Sequence, residues 1–283
     1  MGQIVAALAL SHAPGLTGWV DQAPEEQQMN LRRGFSHLGE VLRATRPDVI
    51  IGLANDHVLN LPLSNTPDFC VGTADVWRGP APWFKDWINV PEYTVNGHRE
   101  LATALVREGA RRGVRFAFSE NLLFDDNWSV PLYYLTPEHN IRLVPIHMDC
   151  IVPPLPSPER CYEVGRIIAE IVETRRPANE RVAIMGTGGL SHDPGGPKYF
   201  NVDEKFDRWF LDLLKIGDPG QVVREVTMDK MVQAGDGGTT ELLSWIAAMG
   251  AVGRRRAEVV CYEPAEELRC GMGCVYWNMN EPG

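Results

Sequence analysis

The chain has 283 residues, 44% of them hydrophobic and 23% charged, with a formal net charge of −10. These values are ordinary for a soluble globular protein and leave ample length for a buried core. The acidic balance argues against sequence-independent nucleic-acid binding, which depends on Lys and Arg neutralising phosphates. No apolar run approaches the roughly 18 residues of a membrane span.

Apolar runs short enough for buried strands alternate along the chain with segments of helical period. The first strand is expected over Ile4-Val5-Ala6-Ala7-Leu8-Ala9-Leu10. A helix follows from Pro24 to Thr45, with Met29, Leu31, Phe35, Leu38, Val41 and Leu42 at helical spacing. A second strand covers Asp48 to Ala54. The stretch 61–95 differs: it is rich in Pro and Trp and reads as a long ordered excursion over the sheet. Helices are then expected over Arg99–Gly109 and Pro158–Thr174, with strands at Ile141–Ile146 and Arg181–Met185. Phe206–Leu214 and Thr240–Met249 are helical, and Ala257–Tyr262 and Gly273–Trp277 are late strands. This alternation predicts an α/β fold: a central, mostly parallel sheet with helices on both faces, and long loops over the active-site edge. We expect a single domain over residues 1–283.

The start Met1-Gly2-Gln3-Ile4 lacks a charged segment followed by a long apolar stretch, so no secretory signal is expected. Six cysteines are scattered, and only Cys270 and Cys274 are close in sequence. That pattern makes neither a disulfide framework nor a zinc site, and reads as free thiols in a cytoplasmic protein.

Two of the seven histidines occupy matching places. His12 lies just past the first strand in Ser11-His12-Ala13-Pro14, and His57 just past the second in Asn55-Asp56-His57. Open α/β sheets build their ligand crevices at the carboxyl ends of such strands. Imidazole is a common metal ligand, so two at one rim suggest a metal, although each taken singly also suits a hydrogen-bonded structural role. A third histidine ends Gly186-Thr187-Gly188-Gly189-Leu190-Ser191-His192, a strand-exit loop whose glycines permit close backbone approach. Two histidines and a carboxylate would form a facial triad, which leaves three positions open on Fe(II). Spacing alone does not select Glu241 over Asp56, Asp126, Asp149 or Asp236 as that carboxylate. Glu241 also suits an ordinary first-turn acid complementing a helix dipole.

Several segments carry a more specific signal. In order they are Ser11-His12-Ala13-Pro14, Asn55-Asp56-His57, Gly97-His98-Arg99-Glu100-Leu101-Ala102, Val130-Pro131-Leu132, Pro153-Pro154-Leu155-Pro156-Ser157, Arg160-Cys161, the loop Gly186 to His192, and Glu241-Leu242-Leu243-Ser244-Trp245. Together they resemble the LigB-like class III extradiol dioxygenases, the family of the protocatechuate 4,5-dioxygenase catalytic (beta) subunit. The resemblance implies an Fe(II) enzyme that cleaves a catechol-type ring, such as that of protocatechuate or gallate, with O2. It places the iron on His12, His57 and Glu241 and the catalytic base on His192. It further implies a homo-oligomer, with or without a small accessory subunit. One departure stands out. Where the family has a substrate-contacting histidine a few residues before Val-Pro-Leu, this chain reads Asp125-Asp126-Asn127-Trp128-Ser129 and puts Asp126 in that place. Asp126 there is either a determinant of substrate choice, as a protonated donor or as an acceptor for a substrate amino or hydroxyl group, or, with the loop shifted, merely the cap of a turn. His147 has no family counterpart and suits a core or rim role. The rival readings are a zinc-dependent hydrolase on the same fold, and a non-catalytic subunit of a dioxygenase complex.

Overall fold

The computed structural model describes residues 1–279; residues 280–283, the end of the expected domain, lie outside the described residues. In chain order the elements are β1 (Gln3–Leu10), α1 (Gly15–Gly18), α2 (Glu25–Ala44), β2 (Val49–Asn55), β3 (Phe69–Gly72), β4 (Val76–Gly79), α3 (Lys85–Ile88), β5 (Tyr93–Asn96), α4 (Arg99–Arg111), β6 (Ala117–Ser119) and α5 (Asp126–Leu135). There follow β7 (Arg142–Met148), α6 (Pro158–Arg175), β8 (Arg181–Thr187), α7 (Glu204–Ile216), α8 (Pro219–Glu225), α9 (Met228–Ala234), α10 (Leu242–Val252), β9 (Ala257–Ala265) and β10 (Cys270–Trp277).

Eight strands form one sheet in the order β6-β3-β7-β2-β8-β1-β10-β9. The four central strands, β7, β2, β8 and β1, run parallel. Their apolar runs are continuous because both faces are covered, and the side chains sort with period two. Ala7 and Ala9 of β1, Ile51 and Leu53 of β2, and Val182 and Ile184 of β8 enter one core with α4, α6, α7 and α10. Leu8 and Leu10, Ile50 and Ala54, and Ala183 and Met185 enter the other, with α2 and α5. The expected α/β architecture, with helices on both faces, is what the chain adopts.

α10 explains why one helix lacks an apolar stripe. Every residue from Leu242 to Val252 is buried. A helix apolar on all sides must be enclosed on all sides, and α10 lies between the sheet and α6. The fit is close: a Cβ at Gly165 would meet the Ala247 carbonyl oxygen at 1.8 Å, and one at Gly250 the Tyr162 carbonyl oxygen at 2.1 Å.

The expectation for 61–95 needs correction. The stretch is not only an excursion over the sheet, because it contributes β3, which pairs antiparallel with β7 and parallel with β6. The β4–β5 hairpin and α3 make up the remainder. At four residues each, β3, β4 and β5 are too short to show a period among the surrounding Pro and Trp. The short strand β6 and the helix α5 were likewise not anticipated. In space the close thiols are Cys261 and Cys274, with sulfurs 3.4 Å apart across β9 and β10, rather than the sequence neighbours Cys270 and Cys274. All six cysteines are free.

Candidate active site

Leu10 of β1 and Ala54 of β2 are both in register with Thr187 of β8, which lies between them. The residues that leave these three strands therefore emerge at one level on the same edge. β1 and β2 are two strand spacings apart, roughly 9.6 Å. His12 and His57 bridge that gap over the end of β8, and their ring centroids come within 5.1 Å.

Each imidazole has one nitrogen held from behind. His12 Nδ1 lies 3.1 Å from Thr187 Oγ1. His57 Nδ1 donates to Asp125 Oδ2 at 3.0 Å, with Asp126 Oδ1 at 3.4 Å. Both Nε2 atoms face Glu241: His12 Nε2 is 3.3 Å from Oε2, and His57 Nε2 is 2.8 Å from Oε1. His12 Nε2 is buried and makes no hydrogen bond. The contact of His57 with a carboxylate at 2.8 Å requires a positive charge between nitrogen and oxygen, either a proton or a metal. Burial opposes charge on His57, but the Asp125 and Asp126 carboxylates outweigh it and push its pKa well above the ordinary value. Burial likewise disfavours charge on Glu241, yet the neighbouring His12 and His57 hold it well below the usual carboxylate range. The donor set of two imidazoles and a carboxylate fits a divalent first-row metal.

Glu241 reaches this position because the chain behind it is nearly bare. A Cβ on Gly188 would meet Glu241 Cβ at 2.7 Å and Oε2 at 2.9 Å. The Gly189 amide donates to Oε2 at 2.9 Å, and Asn55 Nδ2 donates to Oε1 at 3.1 Å. The glycines of the strand-exit loop thus admit a side-chain carboxylate. The other carboxylates that spacing left open are engaged elsewhere or stand apart. Asp56 accepts from the Asn60 and Leu61 amides and faces His147. Asp149 accepts from the Ile151 and Val152 amides. Asp236 does not line the cavity described below.

Asp126 does join the cluster. One ligand atom from each of His12, His57 and Asp126 lies within 4.8 Å of the others. Its approach to His57 is through Nδ1, the nitrogen already held by Asp125, whereas Glu241 faces both Nε2 atoms. Burial works against an ionised Asp126, but His57 outweighs it and lowers the pKa. That direction favours the carboxylate over the protonated donor considered from sequence.

His192 Nδ1 donates to the Leu190 carbonyl at 3.0 Å, and its Nε2 lies 3.7 Å from Glu241 Oε2. Behind it, Ser191 donates its amide and its hydroxyl to Asp207, at 2.8 and 2.9 Å. Tyr262 adds a third hydrogen bond to Asp207 at 2.9 Å. Burial nonetheless raises the Asp207 pKa to about 7. His147 lies outside this site: fully buried on β7, it accepts from Trp128 Nε1 at 3.1 Å.

His12, His57, Asp126, His192 and Glu241 line one cavity of about 360 Å³. Trp19, Phe84, Trp87, Ile151 and Leu268 supply apolar wall, and Tyr199 and Arg269 also line the cavity. The five residues singled out from sequence are thus brought together. Sequence reasoning missed Asp125, which both caps α5, through the Asn127 amide at 2.8 Å, and holds His57. The available signal was an Asp pair preceding a buried helix. Thr187 and Arg269 were also missed.

A sheet whose parallel strand ends converge two imidazoles and a carboxylate on the wall of an aromatic-lined cavity gives an α/β fold a site that could hold a metal. Residues 6–271 match the family described as the catalytic LigB subunit of aromatic ring-opening dioxygenase, and the chain belongs to that family. It is 27% identical to a 2,3-dihydroxyphenylpropionate/2,3-dihydroxicinnamic acid 1,2-dioxygenase of Photorhabdus laumondii, over 96% of each chain. It is 26% identical to a Rhodococcus enzyme of the same name, over 95% of this chain and 96% of that one. The fold resembles the crystal structure of an uncharacterized Escherichia coli K12 protein, with a TM-score of 0.63, 18% identity, and coverage of 96% of this chain and 99% of that one. The family and the named relatives favour a ring-cleaving dioxygenase over a zinc hydrolase or a non-catalytic subunit.

Proposed function

We propose that this protein is an Fe(II)-dependent extradiol dioxygenase that opens the ring of a catechol. His12, His57 and Glu241 hold the metal in this reading, and His192 is the base. The observation that carries it is the convergence of two Nε2 atoms on one buried carboxylate, with each Nδ1 held from behind. Fe(II), if held by His12, His57 and Glu241, would supply the redox chemistry that engages O2.

The remaining work falls to this chain's residues. His192, whose Nδ1 donates to the Leu190 carbonyl, takes a catechol hydroxyl proton at Nε2 in this reading. The hydrogen bonds of Ser191 to Asp207 fix the loop that aims it. Asp126, as a carboxylate beside the ring, accepts a hydrogen bond from an amino or extra hydroxyl substituent and disfavours a substrate that carries negative charge at that point. Trp19, Phe84, Trp87 and Ile151 give an aromatic ring an apolar wall to pack against.

The test is O2 uptake by protein purified anaerobically and loaded with Fe(II) or Zn(II), against catechols, gallates and aminophenols. Iron-dependent uptake with a ring-opened product supports the reading; turnover with zinc and without O2 overturns it. His12→Ala, His57→Ala and Glu241→Ala each remove most bound iron, because a three-ligand site has no spare. Near wild-type iron in Glu241→Ala, with loss in Asp126→Ala, would transfer the third ligand to Asp126.

A further inference from the structure

We infer that Arg269 is the anchor for a carboxylate on the substrate, which makes it the residue that selects acidic catechols over neutral ones. The inference rests on the reading of this cavity as the catechol site.

Arg269 lies in the turn between β9 and β10. Its guanidinium is held by aromatic groups alone. Nη1 donates to the Tyr199 hydroxyl. Its central carbon lies 4.7 Å from the Tyr199 ring centroid, 5.3 Å from that of Trp19 and 5.5 Å from that of Phe200. Among the described residues, no carboxylate forms an ion pair with it, although Glu266 and Glu267 share its turn. A cation on an apolar wall without a counter-ion is costly to desolvate, and an incoming anion offsets that cost. Apart from the Nη1 bond to Tyr199, no side-chain hydrogen bond of the guanidinium is found among the described residues, and its remaining N–H donors can meet a carboxylate.

Position supports the assignment. Trp19 follows His12 on the loop that leaves β1, and Tyr199 follows His192 on the loop that leaves β8. The segments that carry the metal and base residues therefore also carry the partners of Arg269. No hydrogen bond or ion pair joins Arg269 to Asp126 or Glu241 among the described residues. A catechol seated by its hydroxyls at the histidines can thus direct a short acidic side chain to the guanidinium and keep it clear of those carboxylates. The cavity, at about 360 Å³, suits one ring with such a side chain.

The test compares wild type, Arg269→Met and Arg269→Lys on 2,3-dihydroxyphenylpropionate and on 3-propylcatechol, its uncharged counterpart. Arg269→Met is expected to lower kcat/KM for the acid 10- to 100-fold, about the value of one charge-assisted contact, and to leave the neutral catechol within about twofold. Arg269→Lys recovers part of the loss. An equal loss on both substrates would make Arg269 a structural clamp for Trp19 and Tyr199, and no loss on the acid would remove it from recognition; either overturns the inference. A second measurement needs neither metal nor turnover: quenching of tryptophan fluorescence by 3-phenylpropionate and by 3-phenylpropan-1-ol. Wild type is expected to bind the acid about tenfold more tightly than the alcohol, and Arg269→Met to lose that preference. Equal binding in wild type overturns the inference. If the acid binds in an Arg269-dependent way but no catechol is turned over, the dioxygenase reading fails and the anchor stands.

Discussion

Asp125 is the most informative residue to perturb because two of its contacts can be separated by substitution. Oδ1 accepts the Asn127 amide at 2.8 Å and caps α5; Oδ2 accepts His57 Nδ1–H at 3.0 Å. Asparagine caps helices about as well as aspartate. Asp125→Asn is therefore expected to keep the helix start, including the bond from Asn127 Nδ2 to the Asn55 carbonyl at 2.9 Å that ties α5 to the end of β2. What it removes is the acceptor and the charge behind His57, because with the side-chain oxygen kept on the Asn127 amide an NH2 group faces His57 Nδ1. A second carboxylate, Asp126, stays 3.4 Å from the same nitrogen and limits the damage. Loss of an outer-shell partner of a metal-bound histidine costs about 10- to 100-fold in metal affinity, or about 1.4–2.8 kcal/mol, and the presence of Asp126 places the expectation near the lower end. Asp125→Ala loses the cap as well, for about a further 1 kcal/mol, a shift of roughly 2–4 °C in a chain of this size class. Competition of the protein against a chelator, followed by iron colour, reads the affinity; a thermal melt of the metal-free form reads the cap. Weaker iron binding in Asp125→Asn at unchanged Tm, and a lower Tm only in Asp125→Ala, is the expected pattern. Wild-type iron affinity in Asp125→Asn would refute the reasoning, since His57 would then need no charge behind it.

Three further outcomes follow from the same geometry. His192→Ala keeps its iron, because the imidazole is the most distant of the three from Glu241, but loses turnover by roughly 10²–10⁴-fold; iron lost in parallel would mark His192 as a ligand. Asp126→His, assayed at matched iron content, shifts preference toward plain catechols over amino- or hydroxy-bearing analogues by roughly tenfold, and an unchanged profile would confine Asp126 to holding His57. The Asp207 pKa, raised to about 7 by burial, predicts a pH dependence. A folded-state pKa above the unfolded value of about 3.9 contributes stability that is complete below that value and lost as pH rises through about 7. Tm measured between pH 5 and 8 should therefore fall more steeply in wild type than in Asp207→Asn, and parallel curves would show that Asp207 does not titrate in that range.

What the sequence disclosed and what it concealed divide along a physical line. β1, β2 and β8 were legible because strands buried on both faces must be continuously apolar, and the histidines just beyond them inherited a location from that fact alone. Strand order was not legible in this way: nothing in the local pattern says that β8 inserts between β1 and β2, although that insertion sets His12 and His57 on either side of Gly188. Glu241 was one of five carboxylates by spacing and stood out only through family resemblance. The structure supplies the reason, since a Gly188 without a Cβ leaves room for the Glu241 carboxylate beneath both imidazoles. Asp125 and Arg269 were invisible for the opposite reason. Each acts through partners far away in the chain, Asp125 on His57 and Arg269 against Trp19 and Tyr199, and a one-dimensional pattern carries no term for such pairs. The residues that hold and aim a site are therefore harder to read than the residues that ligate, because their signal is a juxtaposition created by the fold.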